Sequence, residues 1–264
     1  MSKVVLITGA SSGLGEATAF YLHQNGYQVF GTSRKGADAG KPFPMVSMDV
    51  RDQESVDQAV QEVLDRAGRI DVVINNAGVG IAGPIEETSL EHIEQVLDTN
   101  VLGVVRVCQA VLPHMRKGGG RIINISSIGA VFGLPFRGIY SASKASVDVI
   151  TEALRMELHK KQVQVCSVRA GDIQTNINAH RIKDYQPEGA YAEDFEKVYE
   201  LVDEDVDKGM PVEVVAQRIA RLAEVRKLRR YYVIGKPVQR FSITLKRLLP
   251  GRWFEWIIRF YSGL

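Results

Sequence analysis

The sequence predicts an α/β fold in which parallel strands alternate with helices and a ligand gathers at the strand C-terminal ends. Three observations predict it. The chain opens on a short apolar run, Lys3 to Ile7, with no polar alternation, as expected of a strand buried on both faces. A glycine turn, Thr8-Gly9-Ala10-Ser11-Ser12-Gly13-Leu14-Gly15, follows and leads into the helical pattern Glu16 to Gln24. Strand-like and helix-like patterns then keep alternating, and the unusual polar residues fall at strand ends.

Composition excludes several classes. The 264 residues suffice for one full core. With 45% hydrophobic and 24% charged residues the chain reads as a soluble globular protein. Its 33 basic and 31 acidic residues leave a net charge of only +2, unlike the broad basic field of a nucleic-acid binder. Cys108 and Cys166 stand alone in no redox or ligand spacing, which suits a reducing compartment. The run Val4 to Ile7 is too short for a secretory signal, and no stretch approaches the roughly 20 apolar residues of a membrane span. The expectation is a cytoplasmic protein.

In the opening turn, Gly9 permits the tight bend, Gly13 lets backbone approach a pyrophosphate, and Gly15 allows close helix–strand packing. The helix N-terminus offers free N–H groups to that anion. Its spacing is G-x-x-x-G-x-G instead of the commoner G-x-G-x-x-G, and a plain strand-to-helix turn competes with the nucleotide reading. Tyr27 to Ser33 reads as the second strand. Its end carries Thr32, Ser33 and Arg34, with Lys35 behind, and no carboxylate to repel a ribose 2′-phosphate. Arg34 can hold such a phosphate by charge-assisted hydrogen bonds, each worth about 1.5–3 kcal/mol. The expected cofactor is therefore NADP(H) over NAD(H), against the alternative of a solvated surface Arg.

Phe43 to Met48 is the third strand, which Pro42 and Pro44 confine to an edge. It runs into Asp49-Val50, where an adenine could rest between carboxylate and apolar side chain. Asp52 can cap the helix Gln53 to Ala67, whose apolar positions keep helical spacing. Asp71 to Ile74 is the fourth strand and ends in Asn75-Asn76-Ala77-Gly78. A long helical pattern, Leu90 to Met115, contains Asn100, locally unfavourable there and suggestive of a bend or a bound water. Arg121 to Ile125 is the fifth strand, followed by Ser126 and Ser127. The helix Tyr140 to Lys161 then places Tyr140 and Lys144 on one face. The ammonium should lower the pKa of the phenol and let it exchange a proton with a carbonyl or alcohol oxygen. By itself such a pair is commonly an exposed surface accident.

Taken together, Thr8-Gly9-(x3)-Gly13-x-Gly15, Asn75-Asn76-Ala77-Gly78, Asn100, Ser127 and Tyr140-(x3)-Lys144 resemble the short-chain dehydrogenase/reductases, over roughly residues 3 to 235. The resemblance implies a single doubly wound Rossmann-type domain of about seven parallel strands and hydride transfer to or from nicotinamide. It also implies catalytic roles for Asn100, Ser127, Tyr140 and Lys144. The family serine lies thirteen positions before the Tyr, which selects Ser127 over Ser126. Ser127 would hold the substrate oxygen, Tyr140 would protonate it, Lys144 would bind the nicotinamide ribose, and Asn100 would hold a water that replaces the proton. Asn75 and Asn76 would brace the sheet and the adenosine side. The cofactor positions implied are Gly9, Ser11, Ser12, Gly13 and Leu14 in the first turn, then Ser33, Arg34, Asp49 and Val50. Asn76, Ala77, Gly78, Tyr140 and Lys144 continue the set, and Gly171, Ile173 and Thr175 close it. Ala170 departs from the family's usual Pro before Gly171. No metal is called for, since His and Cys ligand spacings are absent. Family members commonly dimerise through the helix that starts at Tyr140, so a homo-oligomer, dimer or tetramer, is expected.

Val163 to Arg169 is the sixth strand, and Asn176 to Gly209 is where family members close over substrate. That segment holds an acidic helix, Glu193 to Asp207, and Pro211 opens the next helix, to about Val225. Tyr231 to Ile234 is the last strand, so residues 1–236 form the catalytic domain and 237–264 an extension. From Val238 onward the extension carries five basic residues, one acid and six aromatics, including both Trp. On a helix Arg252, Glu255 and Arg259 line a narrow stripe and apolar residues cover the remainder. Such a helix caps the pocket, packs on a second subunit, or lies on a membrane surface. Each option suits an apolar substrate, in the manner of steroid-, retinoid- or acyl-chain-reducing members. The function expected is an NADP(H)-dependent carbonyl reductase or alcohol dehydrogenase. A non-catalytic NADP(H)-binding regulator on the same fold is the alternative, while an epimerase or dehydratase would want a larger substrate domain.

Overall fold

The computed structural model describes residues 2–36, 40–175 and 181–264. In chain order it begins β1 (Val4–Ile7), α1 (Gly13–Gln24), β2 (Gln28–Ser33), β3 (Met45–Ser47), α2 (Gln53–Ala67), β4 (Val72–Asn75) and β5 (Ile81–Ala82). Then come α3 (Leu90–Leu97), a π-helical turn (Asp98–Leu102), α4 (Gly103–Gly118), β6 (Gly120–Ser127), α5 (Gly138–Glu157), β7 (Val163–Ala170), β8 (Ile173–Gln174) and β9 (Ile182–Lys183). The chain finishes with α6 (Ala192–Asp207), β10 (Met210–Pro211), α7 (Val212–Ala220), β11 (Tyr231–Ile234), α8 (Pro237–Leu248) and α9 (Gly251–Tyr261).

Seven strands form one parallel sheet in the order β11-β7-β6-β4-β1-β2-β3. The order reverses direction at β1, so a crevice opens beyond the C-terminal ends of β1 and β4. The apolar run of β1 shows why polar alternation is absent. Val4 and Leu6 join the core under α2, α4 and α5, and Val5 and Ile7 join the core under α1 and α7. Burying each such side chain contributes about 1.5–3 kcal/mol. At the sheet edge β3 is shorter than the sequence suggests, because Phe43 and Pro44 stay outside the ladder and Pro44 only accepts a bond from the Gly31 N–H.

Two expectations need correction. First, the continuous helical stretch Leu90–Gly118 is long and apolar enough, by length and composition, to cross a membrane. Its apolar face covers the sheet, with Val96, Val104, Val107, Val111 and Met115 all buried. Second, Pro211 does not open α7 from within. It pairs with Gln174 in a short parallel ladder, β10 on β8, and serves as the residue preceding the helix.

The extension is two helices, since Pro250 lacks an N–H and Leu249 before it is extended. Its inner face packs on its own chain. Phe254 is buried edge-on against Phe132 at 5.1 Å, and the Tyr261 hydroxyl donates to Asp205 of α6 at 2.6 Å.

Candidate active site

The first turn is built so that its backbone packs closely on the end of β4 at the edge of the crevice. Gly9 has φ 66°, and a Cβ there would lie 2.9 Å from the Cα of Ala77. At Gly15 a Cβ would meet the Gly9 carbonyl oxygen at 2.3 Å. Asn76 fastens this turn from β4, its side-chain amide donating to the carbonyls of Thr8 and Gly9 at 3.0 Å each. The Thr8 hydroxyl accepts from the N–H groups of Asn76 and Ala77. Asn75 points the other way and ties β4 to Asn124 of β6 at 2.8 Å. Ser12 precedes α1 without a side-chain cap, and among the described residues the first N–H groups of the helix remain free for a phosphate.

One cavity of ≈ 1090 Å³ runs from this turn to Tyr140. Every residue the sequence singled out for cofactor contact lines it, as do Ser127, Tyr140 and Lys144. Asn100 stands behind the wall. The residues fit a nicotinamide dinucleotide: a glycine cradle at one end, a proton-transfer group at the other, and space between. At the adenosine end Arg34 is exposed on the lip and takes part in no ion pair among the described residues. Asp49 is engaged by Arg51, whose guanidinium donates to the carboxylate at 2.7 Å and whose hydrogen bonding holds it below its ordinary pKa. The sequence had not singled out Arg51.

Tyr140 and Lys144 sit on the inner face of α5. Lys144, 7% exposed as a residue, donates from its ammonium to the Ile125 carbonyl at 3.1 Å and holds it 5.9 Å from the Tyr140 ring centroid. Ser127 ends β6, accepts from the Gly129 N–H at 3.1 Å, and lines the same cavity as Tyr140. Asn100 lies in the π-helical turn. There its amide oxygen accepts from the Val79 N–H at 2.8 Å and its amide nitrogen donates to the Val79 carbonyl at 2.9 Å. The interior Asn100 thus sits where the helix departs from regular α geometry. Gly78 leaves little room for a side chain, since a Cβ would lie 3.1 Å from Asn100 Oδ1 and 3.3 Å from Lys144 Nζ and would push both aside by a few tenths of an ångström.

The expected lowering of the Tyr140 pKa is not what the surroundings produce. Burial pushes the phenol up. The neighbouring Ser127 hydroxyl and the guanidiniums of Arg181 and Arg137 pull it back, while Asp172 adds to the rise. Lys144 is itself brought down from 10.5 to about 8 by burial, with Asp148 opposing. The sign of the linkage follows. Between pH 8 and 10.5 the unfolded chain holds a proton that the folded chain has lost, so stability rises with pH across that window. Without added nucleotide, Lys144→Met should therefore raise the melting temperature at pH 7, and the difference should vanish above pH 10.5. A thermal-shift series over pH with both proteins checks it.

The substrate end contains groups that sequence reasoning missed. Arg137, Asp172 and Arg181 line the cavity, and Arg137 Nε and Arg181 Nη1 are buried without a hydrogen-bond partner among the described residues. Neither Arg belongs to a motif; Arg137, three positions before Tyr140, was the more readable of the two. Asp172 accepts from Gln239 of α8, which ties the extension to the loop after β7. Ala170 itself continues β7, in register with Ser127 and Ile234. Of the segment expected to close over substrate, residues 176–180 lie outside the described residues. The remainder pairs β9 with β5 and stacks Tyr185, Phe195 and Tyr199 beside Phe136 and Ala82.

The family model described as short chain dehydrogenase matches residues 3–186. The chain belongs to the short-chain dehydrogenase/reductase family. Among its relatives, a 3-ketodihydrosphingosine reductase of Bacteroides thetaiotaomicron is 37% identical, over 99% of this chain and 98% of that one. An NADPH-dependent 3-dehydrocapnine reductase of Ornithobacterium rhinotracheale is 32% identical over 99% and 97%. A short-chain dehydrogenase from Streptomyces avermitilis superposes with a TM-score of 0.80 at 30% identity, covering 94% of this chain and 93% of its own. As a short-chain dehydrogenase/reductase the chain is an oxidoreductase that uses a nicotinamide cofactor.

Proposed function

We propose that the protein is an NADP(H)-dependent reductase of a ketone carried on an apolar, acyl-chain-like molecule, able to run as the reverse alcohol dehydrogenase. The observation that carries the reaction is that Ser127, Tyr140 and Lys144 line one cavity together with the nucleotide turn. A nicotinamide nucleotide bound there supplies the hydride in the reducing direction. Ser127 orients the substrate oxygen and Tyr140 passes its phenolic proton to that oxygen as charge develops. Lys144 sits close enough to the cavity to hold the ribose, and Asn100 orders the turn beside it.

The substrate reading is supported by apolar side chains that line the cavity, Val79, Ile81, Ile173, Val206 and Val212. It is also supported by relatives named for 3-ketodihydrosphingosine and 3-dehydrocapnine reduction. NADPH loss with a series of β-keto compounds of rising chain length tests it; turnover that does not rise with chain length overturns the acyl-chain reading.

For the cofactor, Arg34→Ala should weaken NADPH binding about ten- to a hundred-fold and leave NADH within a factor of about two. Titration of both nucleotides by fluorescence checks it. We also infer a homo-oligomer through α5, where Val149 and Met156, seven positions apart, are 65% and 69% exposed. Light scattering at micromolar concentration should give at least twice the chain mass, and Val149→Glu should return it to that of one chain.

A further inference from the structure

Among the described residues nothing covers the outer face of α8 and α9. Among the described residues, half of the large hydrophobic side chains that stand exposed fall in residues 238–264, about a tenth of the sequence. Each helix presents an apolar stripe at i, i+3 and later turns: Val238, Phe241 and Leu248 on α8, then Trp253, Trp256 and Phe260 on α9. The opposite faces are engaged, through Ile243 and Phe254, so the stripes are surplus to the fold.

The charges on the same helices select the occupant. Arg240, Arg247, Arg252 and Arg259 are exposed, and no ion pair among the described residues includes any of them. Lys246 holds its ammonium 4.9 Å from the ring of Phe254 instead of an acid. Glu255 is the one carboxylate side chain between Val238 and Leu264. Arg252, Trp253, Trp256 and Arg259 surround a shallow concavity of ≈ 410 Å³, two guanidiniums beside two indoles. A guanidinium pair at the rim of an indole surface matches a lipid phosphate with the first carbons of its chains. With five basic residues and one acid from Val238 onward, this face would repel a second copy of itself, whereas an anionic surface neutralises it.

We propose that α8 and α9 dock the protein on anionic phospholipid bilayers, with the indoles at headgroup depth and the arginines on lipid phosphates. Binding is measured without turnover, so it does not rest on the reductase reading. Both Trp of the chain lie in this face, which makes indole emission a direct reporter.

The test is flotation of the full-length protein with vesicles of phosphatidylcholine containing about 30 mol% phosphatidylglycerol, against phosphatidylcholine alone. The expected result is recovery with the anionic vesicles, a blue shift of emission on binding, and release at high salt. R252Q/R259Q should lower the partition coefficient about 10- to 30-fold, and W253Q/W256Q should abolish flotation. Both variants should keep the melting temperature of the parent, since these side chains are exposed. Protein left at the bottom of the gradient overturns the proposal. So does equal recovery on both vesicle types, and so does a blue shift that follows protein concentration without vesicles, which marks a second copy as the occupant. Should a variant fail to fold, the wild-type comparison of the two vesicle types still decides.

Discussion

Replacing Tyr140 with Phe is expected to lower turnover of a soluble ketone by about 10²–10⁴-fold, the usual worth of a positioned general acid. NADPH binding should stay within a factor of a few. The change removes one hydroxyl and leaves α5 intact, because no backbone bond of the helix uses it. Ser127 keeps its bond from the Gly129 N–H in the variant, so the oxygen-binding group stays in place. Single-turnover hydride transfer, followed by NADPH absorbance, separates this from any loss of nucleotide affinity. Equal rates in the two proteins would remove Tyr140 from the reaction.

The second large effect is on stability. Asp148 of α5 and Arg169 of β7 form an ion pair at 2.7 Å, with 3% and 9% of each residue exposed. Asp148 also accepts from the Ser167 hydroxyl, and the Arg169 guanidinium lies 3.6 Å from the centroid of the Tyr231 ring. Removing one charge leaves the other buried without a partner, which costs about 3–5 kcal/mol. Asp148→Ala should thus lower the melting temperature by roughly 6–20 °C. Adding Arg169→Met should recover much of that loss, since a buried pair replaced by apolar groups is often neutral. Calorimetry of both proteins checks the pair. Failure of the double variant to recover would assign the loss to packing of α5.

Local chemistry was legible wherever the backbone itself is the constraint. Gly9 and Gly15 are dictated by a positive φ and by a Cβ that has no room, and both requirements follow from a strand turning straight into a helix. The sheet was legible because β1, β4 and β6 are apolar on both faces, which only a layer between two helical layers allows. The short ladders β5–β9 and β8–β10 were not, since two-residue strands leave no periodicity to read. Nor was the environment of Tyr140. The i, i+4 spacing correctly placed Lys144 on its face, but the balance between burial and charge is set by Arg137, Arg181 and Asp172, which come from three separate segments. Asp49 shows the same limit: its partner, Arg51, is two residues away, yet only the folded turn reveals that the carboxylate is engaged.

The π-helical turn at Asp98–Leu102 constrains how the chain length can vary. A π turn holds one residue more than an α turn can accommodate. Deleting any single residue there would let the stretch from Leu90 relax into an unbroken α-helix. Because the π turn already absorbs the surplus residue, the helix on either side would keep its facing, whereas the same deletion inside α4 would rotate everything after it by about 100°. Val96 on one side and Val107 and Val111 on the other would still meet the same core. Asn100, held to Val79 by the wide turn, is the group that would be displaced. A one-residue deletion within this turn should therefore lower turnover while sparing most of the stability, whereas one inside α4 should cost both.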